Sequence, residues 1–142
     1  MQLIESYFNE TLGKSISVVK HKKKKYYGYA WIHPEDKEIV SKYTGCRYAE
    51  MRAEIKALKA EHKREKAACE ECRKFVKACS QYKNFDKDSS TAKAMYRQLN
   101  RRIKKVNQLA DEINQKINDL NIAIKQKEIV HKALERKKTK EE

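Results

Sequence analysis

Apolar residues along this chain fall into runs with two different periods, and the change of period divides it near Thr44. In the first run Leu3, Ile4, Tyr7, Phe8 and Leu12 recur at helical spacing with Gly13 behind them, which predicts a short amphipathic helix closed by a glycine stop. Two strands are expected next. Ile16 and Val18 alternate with polar residues, and Tyr27, Tyr29 and Trp31 alternate across Gly28 and Ala30. The polar segment 21–25 between them makes this a β-hairpin with a basic tip. Pro34 pre-sets a first helical turn, Glu35, Asp36 and Glu38 suit its positive dipole end, and Ile39, Val40 and Tyr43 supply an apolar face, so a second short helix is predicted.

Beyond Gly45 the chain has neither Gly nor Pro, and a 3-4-3-4 template fits two long runs. The first seam is Tyr48, Met51, Ile55, Leu58, His62, Glu65, Cys69, Cys72, Val76 and Cys79. The second runs Tyr96, Leu99, Ile103, Val106, Ala110, Ile113, Ile117, Leu120, Ile124, Lys127, His131 and Leu134. Repeats this long predict a coiled coil. The polar connection at residues 81–90 offers Ser89 or Ser90 as a helix cap, and its shortness favours antiparallel neighbours. The expected fold is therefore mainly α. A long antiparallel coiled-coil helical hairpin occupies residues 45–142, with helices at about 46–80 and 91–137. A small α+β module of helix, β-hairpin and helix occupies residues 1–44.

A chain reversal near Phe85 would set Cys72 beside Leu99, Leu58 beside Ile113 and Met51 beside Leu120. The second helix is the longer, so its last turns overhang. Ile122, Ile129 and Val130 form a second apolar stripe there, expected to pack against the N-terminal module. Leu109 and Val130, just off the seam, serve a homodimer as readily as an intramolecular contact, so monomer and homodimer are both open.

Charge changes the picture more than overall composition does. Of 142 residues, 34 are Lys or Arg and 20 Asp or Glu, a formal net charge of +14, which attracts polyanions. No apolar run is long enough to span a bilayer, and Glu5 and Glu10 argue against a leader, so a cytoplasmic location without membrane contact is expected. Cys46, Cys69, Cys72 and Cys79 are read as reduced. Three of them sit on seam positions, which suits small core residues better than the tight turn of a structural zinc site.

His62 and Glu65 read as a polar layer that fixes register, with Arg102 or Lys105 across from Glu65. The chain has three Gly and no phosphate-cradling, nucleophile-elbow or cation-loop motif. No catalytic residue, metal or cofactor is therefore expected, and the protein is read as not an enzyme.

Two cationic clusters carry the functional reading. Between Glu10 and Glu35 there are six Lys and no acid. Lys20, Lys22, Lys23, Lys24 and Lys25 run into Tyr26, Tyr27, Tyr29 and Trp31, a combination suited to phosphates and unstacked bases. Residues 93–105 hold Lys93, Arg97, Arg101, Arg102, Lys104 and Lys105 without an acid, much of it on one helix face. Tyr29 and Trp31 are expected in the core of the small module.

These features predict a non-catalytic binder of nucleic acid, RNA or DNA, or of a ribonucleoprotein. The alternative is a coiled-coil module that docks on a protein partner, for instance an anti-CRISPR-like accessory or inhibitor protein of a phage or mobile element that blocks a nucleic-acid-handling complex.

Overall fold

The computed structural model describes residues 1–9, 11–31 and 42–141, with helix side chains from residue 44 to residue 126. Three strands precede two helices: β1 (Gln2–Asn9), β2 (Lys14–His21), β3 (Lys24–Trp31), α1 (Lys42–Ser80) and α2 (Ser90–Glu141). The protein is mainly helical, and the strands form one antiparallel sheet in the order β1-β2-β3. The expected hairpin is present as β2 and β3, paired from Lys14 with Trp31 to His21 with Lys24.

The expected N-terminal helix is instead β1, paired with β2 from Gln2 opposite Lys20 to Asn9 opposite Lys14. A break of register between Leu3 and Glu5 leaves Ile4 without a partner. That bulge shifts the alternation by one residue, so the apolar spacing imitates a helix while each residue is a strand residue. Gly13 is not a helix stop. It takes a left-handed φ of 64° in the loop between β1 and β2, where the Asn9 side-chain oxygen accepts the amides of Thr11 and Leu12. The second short helix predicted from Pro34 falls mostly outside the described residues; Lys42 and Tyr43 belong to α1.

Contacts group the chain into two units, residues 1–57 with 114–142, and residues 58–113. In the first, α1 lies on the sheet through small residues. Gly45, Ala49, Ala53 and Ala57 are buried at four-residue steps, and the cross-strand pairs Ser15 with Ala30 and Ser17 with Gly28 lie beneath them. A Cβ on Gly28 would sit 1.8 Å from the Ala49 carbonyl oxygen and 2.6 Å from the Ala53 amide nitrogen, so only glycine admits this approach. The Ser17 hydroxyl donates to the Cys46 carbonyl at 2.9 Å. On the outer edge of β3, Arg52 donates to the Tyr29 carbonyl at 2.7 Å and Lys56 to the Tyr27 carbonyl at 2.8 Å, which blocks that edge to strand pairing.

Ala30, Tyr48, Ala49, Ile55 and Leu120 form the core of this unit, with Met51, Ile117, Ala123 and Ile124 around it. The Tyr48 hydroxyl donates to the Ala123 carbonyl at 3.1 Å, and Lys116 pairs with Glu54 at 2.7 Å. Burial pushes the Tyr48 phenol above its ordinary 10.0. A raised folded-state pKa means that the folded protein holds this proton more tightly than the unfolded chain. Stability is therefore complete below pH ~10 and falls as the pH rises through the folded value. In a pH series of thermal melts, Tyr48→Phe should flatten that alkaline fall, and at neutral pH should cost about 1 kcal/mol for the lost hydrogen bond.

In the second unit Leu58, Cys69, Val76, Ala92, Leu109 and Ile113 are buried. Leu109 thus makes an intramolecular contact. Glu65 pairs with Lys105 at 3.3 Å, one of the two cations expected opposite it. Ser89 caps α2: its side-chain oxygen accepts the Ala92 amide at 3.1 Å. Every seam position of α1 from Tyr48 to Cys79 is buried or half-buried, as are those of α2 from Leu99 to Ile124, whereas Tyr96 is exposed. Ile122 does not pack as expected. It is 54% exposed, because Leu120 and Ala123 are the neighbours that α2 turns toward the core. Ile129 and Val130 lie outside the described side chains. No helix among the described residues is long and apolar enough to cross a membrane.

Candidate nucleic-acid interface

The hairpin tip concentrates five lysines. Lys20 and Lys25 are opposite one another across the ladder, His21 faces Lys24, and Lys22 and Lys23 form the two-residue turn. Both turn residues have left-handed backbones, with φ of 49° and 68°. Positive φ at both positions is the geometry of a type I′ hairpin turn, for which Asn-Gly is the favoured pair. A lysine has no side-chain device to offset the Cβ crowding, so the pair stores on the order of 1–2 kcal/mol of backbone strain. Like charges at Lys20 and Lys25 add to it. Replacing the turn with Lys22→Asn and Lys23→Gly should raise stability by about 1 kcal/mol in a denaturant melt, while removing two of the five tip charges.

Tyr26 and Tyr27, adjacent in sequence, are separated by the strand. Tyr26 is half-buried on the side that carries Val19 and Gly28, and Tyr27 is exposed on the other. Tyr29 and Trp31, expected in the core, are 38% and 63% exposed. The reason is the close seating of α1: the helix takes the face of β3 whose residues are small, Gly28 and Ala30, and leaves the aromatic face open.

The second cluster lies on α2. Lys93, Arg97, Arg101 and Lys104 are exposed, and none makes an ion pair or a side-chain hydrogen bond with a described residue. Ala94, Arg97, Gln98 and Arg101 line a shallow hollow of about 280 Å³. Arg102 is half-buried, and Lys105 is engaged by Glu65. Arg97 and Arg101, four residues apart, repel each other on the helix surface at a cost of about 0.2–0.5 kcal/mol. The tip belongs to the first unit and this row to the second.

Cys46, Cys69, Cys72 and Cys79 are free thiols, with Cys69 buried and the others half-buried. Among the described residues no three His, Cys, Asp or Glu side chains converge as metal ligands would. The sequence reading named Tyr29 and Trp31 beside the basic run but favoured the core for them, and it missed the face that they form with Tyr7 and Lys14. Its signal was present in the alternation of large rings with Gly28 and Ala30, which shows two unlike faces but not which of them is buried. Compared with protein-family models, curated proteins and solved structures, the chain matches none.

Proposed function

We propose that the protein is a non-catalytic binder of nucleic acid, or of a ribonucleoprotein through its RNA, that engages phosphates with surface lysines and arginines. The observation that carries this reading is the row Lys93, Arg97, Arg101 and Lys104, exposed and without acidic partners among the described residues. The cations Lys105 and Lys116 are each matched to a glutamate of α1, whereas residues 93–104 contain no acid and the row has no such match among the described residues. Such a row destabilises the helix that bears it and is compensated when phosphates neutralise it. The strained lysine turn at the hairpin tip supports the same reading, since strain of this kind persists where function demands the residue.

The scaffold for the row, on this proposal, is an antiparallel coiled-coil hairpin of α1 and α2. Tyr48 meets Ala123, Glu54 meets Lys116 and Glu65 meets Lys105, positions that fall on one helix as they rise on the other. The buried seam residues follow the heptad spacing through both helices.

Affinity for RNA, single-stranded DNA and duplex DNA across a salt series tests the function. Six phosphate contacts would lose on the order of 1000-fold in affinity between about 50 and 200 mM salt. The competing reading, an apolar helix surface that docks on a protein such as a component of a nucleic-acid-handling complex, predicts partner binding that salt barely changes. Absence of nucleic-acid binding at the lowest salt would overturn the proposal.

A further inference from the structure

The sheet has two faces, and among the described residues α1 covers one of them. Cross-strand pairing places Ser15, Ser17, Gly28 and Ala30 under α1. The opposite face is a continuous aromatic surface. Tyr7, Ile16 and Tyr29 stand in one row across the three strands, Lys14 and Trp31 stand beside them at one end, and Val18 and Tyr27 at the other. Tyr7 and Tyr27 are each 47% exposed, and with Tyr29 and Trp31 they put four rings in solvent over a floor of Ile16 and Val18.

Cations are set among these rings. The Lys14 ammonium lies 4.6 Å from the centre of the Tyr29 ring and 4.8 Å from that of Trp31, and the Lys56 ammonium lies 5.2 Å from Tyr29. Lys20 and Lys25 continue the same face toward the tip, and Glu5 is the acid among its strand positions. Rings spaced across an open sheet with ammonium groups between them match the chemistry of a nucleotide strand with unpaired bases: each base presents a flat π-face, and a phosphate follows each one. A duplex offers the rings of this surface nothing, because its bases are already stacked. A protein partner of ordinary composition would not be favoured by the excess of lysines.

We infer that the open face of the sheet, through Tyr7, Tyr27, Tyr29 and Trp31 with Lys14, stacks the unpaired bases of single-stranded nucleic acid. The inference rests on the nucleic-acid reading and adds to it the strand form that is selected and the residues that select it. The α2 row contributes phosphate contacts to any strand form; the sheet discriminates between them.

Trp31 is the sole tryptophan, so its emission reports on this face directly. The full-length protein is titrated with oligo(U), oligo(dT) and a duplex of equal length at low salt, following Trp31 fluorescence and, in parallel, the anisotropy of labelled strands. The expected result is that both single strands quench Trp31 and the duplex does not. Tyr29→Ala and Trp31→Ala should each weaken single-strand binding about tenfold, Tyr29→Phe should retain it, and duplex binding should be unchanged by all three. A preference between oligo(U) and oligo(dT) would then identify RNA or DNA as the source of the strand. Both alanine positions are partly exposed, and the wild-type quench requires no variant, so a misfolded mutant does not decide the outcome. Single strands bound without quenching, and insensitive to both alanine changes, would overturn the stacking role while leaving the cationic interface standing. No binding of any nucleic acid would overturn both.

Discussion

Gly28→Ala should be the most destabilising conservative change in the chain, by about 3 kcal/mol or more, and should lower the melting temperature by ~10 °C or more. The added methyl would lie 1.8 Å from the Ala49 carbonyl oxygen, 2.6 Å from the Ala53 nitrogen and 2.9 Å from the Ala49 carbonyl carbon. All three are backbone atoms, so no rotamer change relieves the overlap and α1 must lift from the sheet. That movement would loosen the Ser17 bond to the Cys46 carbonyl and the Arg52 and Lys56 bonds to the β3 edge, and would open the core around Ala30. Thermal melts by circular dichroism and Trp31 emission check this. Because the obstacle is backbone, truncating Ala49 to Gly should not rescue the variant. A loss below ~0.5 kcal/mol, the range of an ordinary surface change, would mean that α1 does not sit on Gly28 as described.

The largest functional effect is expected from neutralising the α2 row. The triple change Arg97→Gln, Arg101→Gln and Lys104→Gln should weaken nucleic-acid binding on the order of 100-fold near 0.1 M salt and reduce the slope of log affinity against log salt by about 3. The fold should not suffer. These side chains make no ion pair with a described residue, and removing the Arg97–Arg101 repulsion should leave helix stability equal or slightly higher. Lys105→Gln is the informative contrast. Its ammonium is held by Glu65 at 3.3 Å, so its loss should disturb the contact between α1 and α2 more than the salt slope. Equal slopes for the triple variant and the wild type would remove this row from the interface.

The long helices were legible because burial repeats itself along them. Each heptad from Tyr48 to Cys79 and from Leu99 to Ile124 restates the same instruction, so one polar interruption at His62 and Glu65 does not obscure it. A serine cap at Ser89 or Ser90 and a cation, Arg102 or Lys105, against Glu65 were legible as pairs of candidates, and the structure selects Ser89 and Lys105. The hairpin of β2 and β3 was legible from its alternation, and the two cationic clusters from their lack of interspersed acids. By contrast, the four-residue row of Gly45, Ala49, Ala53 and Ala57 was not read from the sequence, because small residues carry little hydrophobic signal and their meaning depends on what approaches them.

What the sequence determined by itself was therefore the part of the protein whose physics is local and repeated: two long helices, one hairpin, a cap and the surplus of positive charge. Tertiary structure decided the rest. Whether residues 2–9 are helix or strand is settled by the free edge of β2, since a short amphipathic segment has little helical stability of its own while a neighbouring strand supplies a full ladder of hydrogen bonds. Which face of β3 is buried is settled by the backbone of α1, which can approach Gly28 and Ala30 but not a ring. Tyr27, Tyr29 and Trp31 are left in solvent because the closest packing, and not the largest side chain, determined where the core would be.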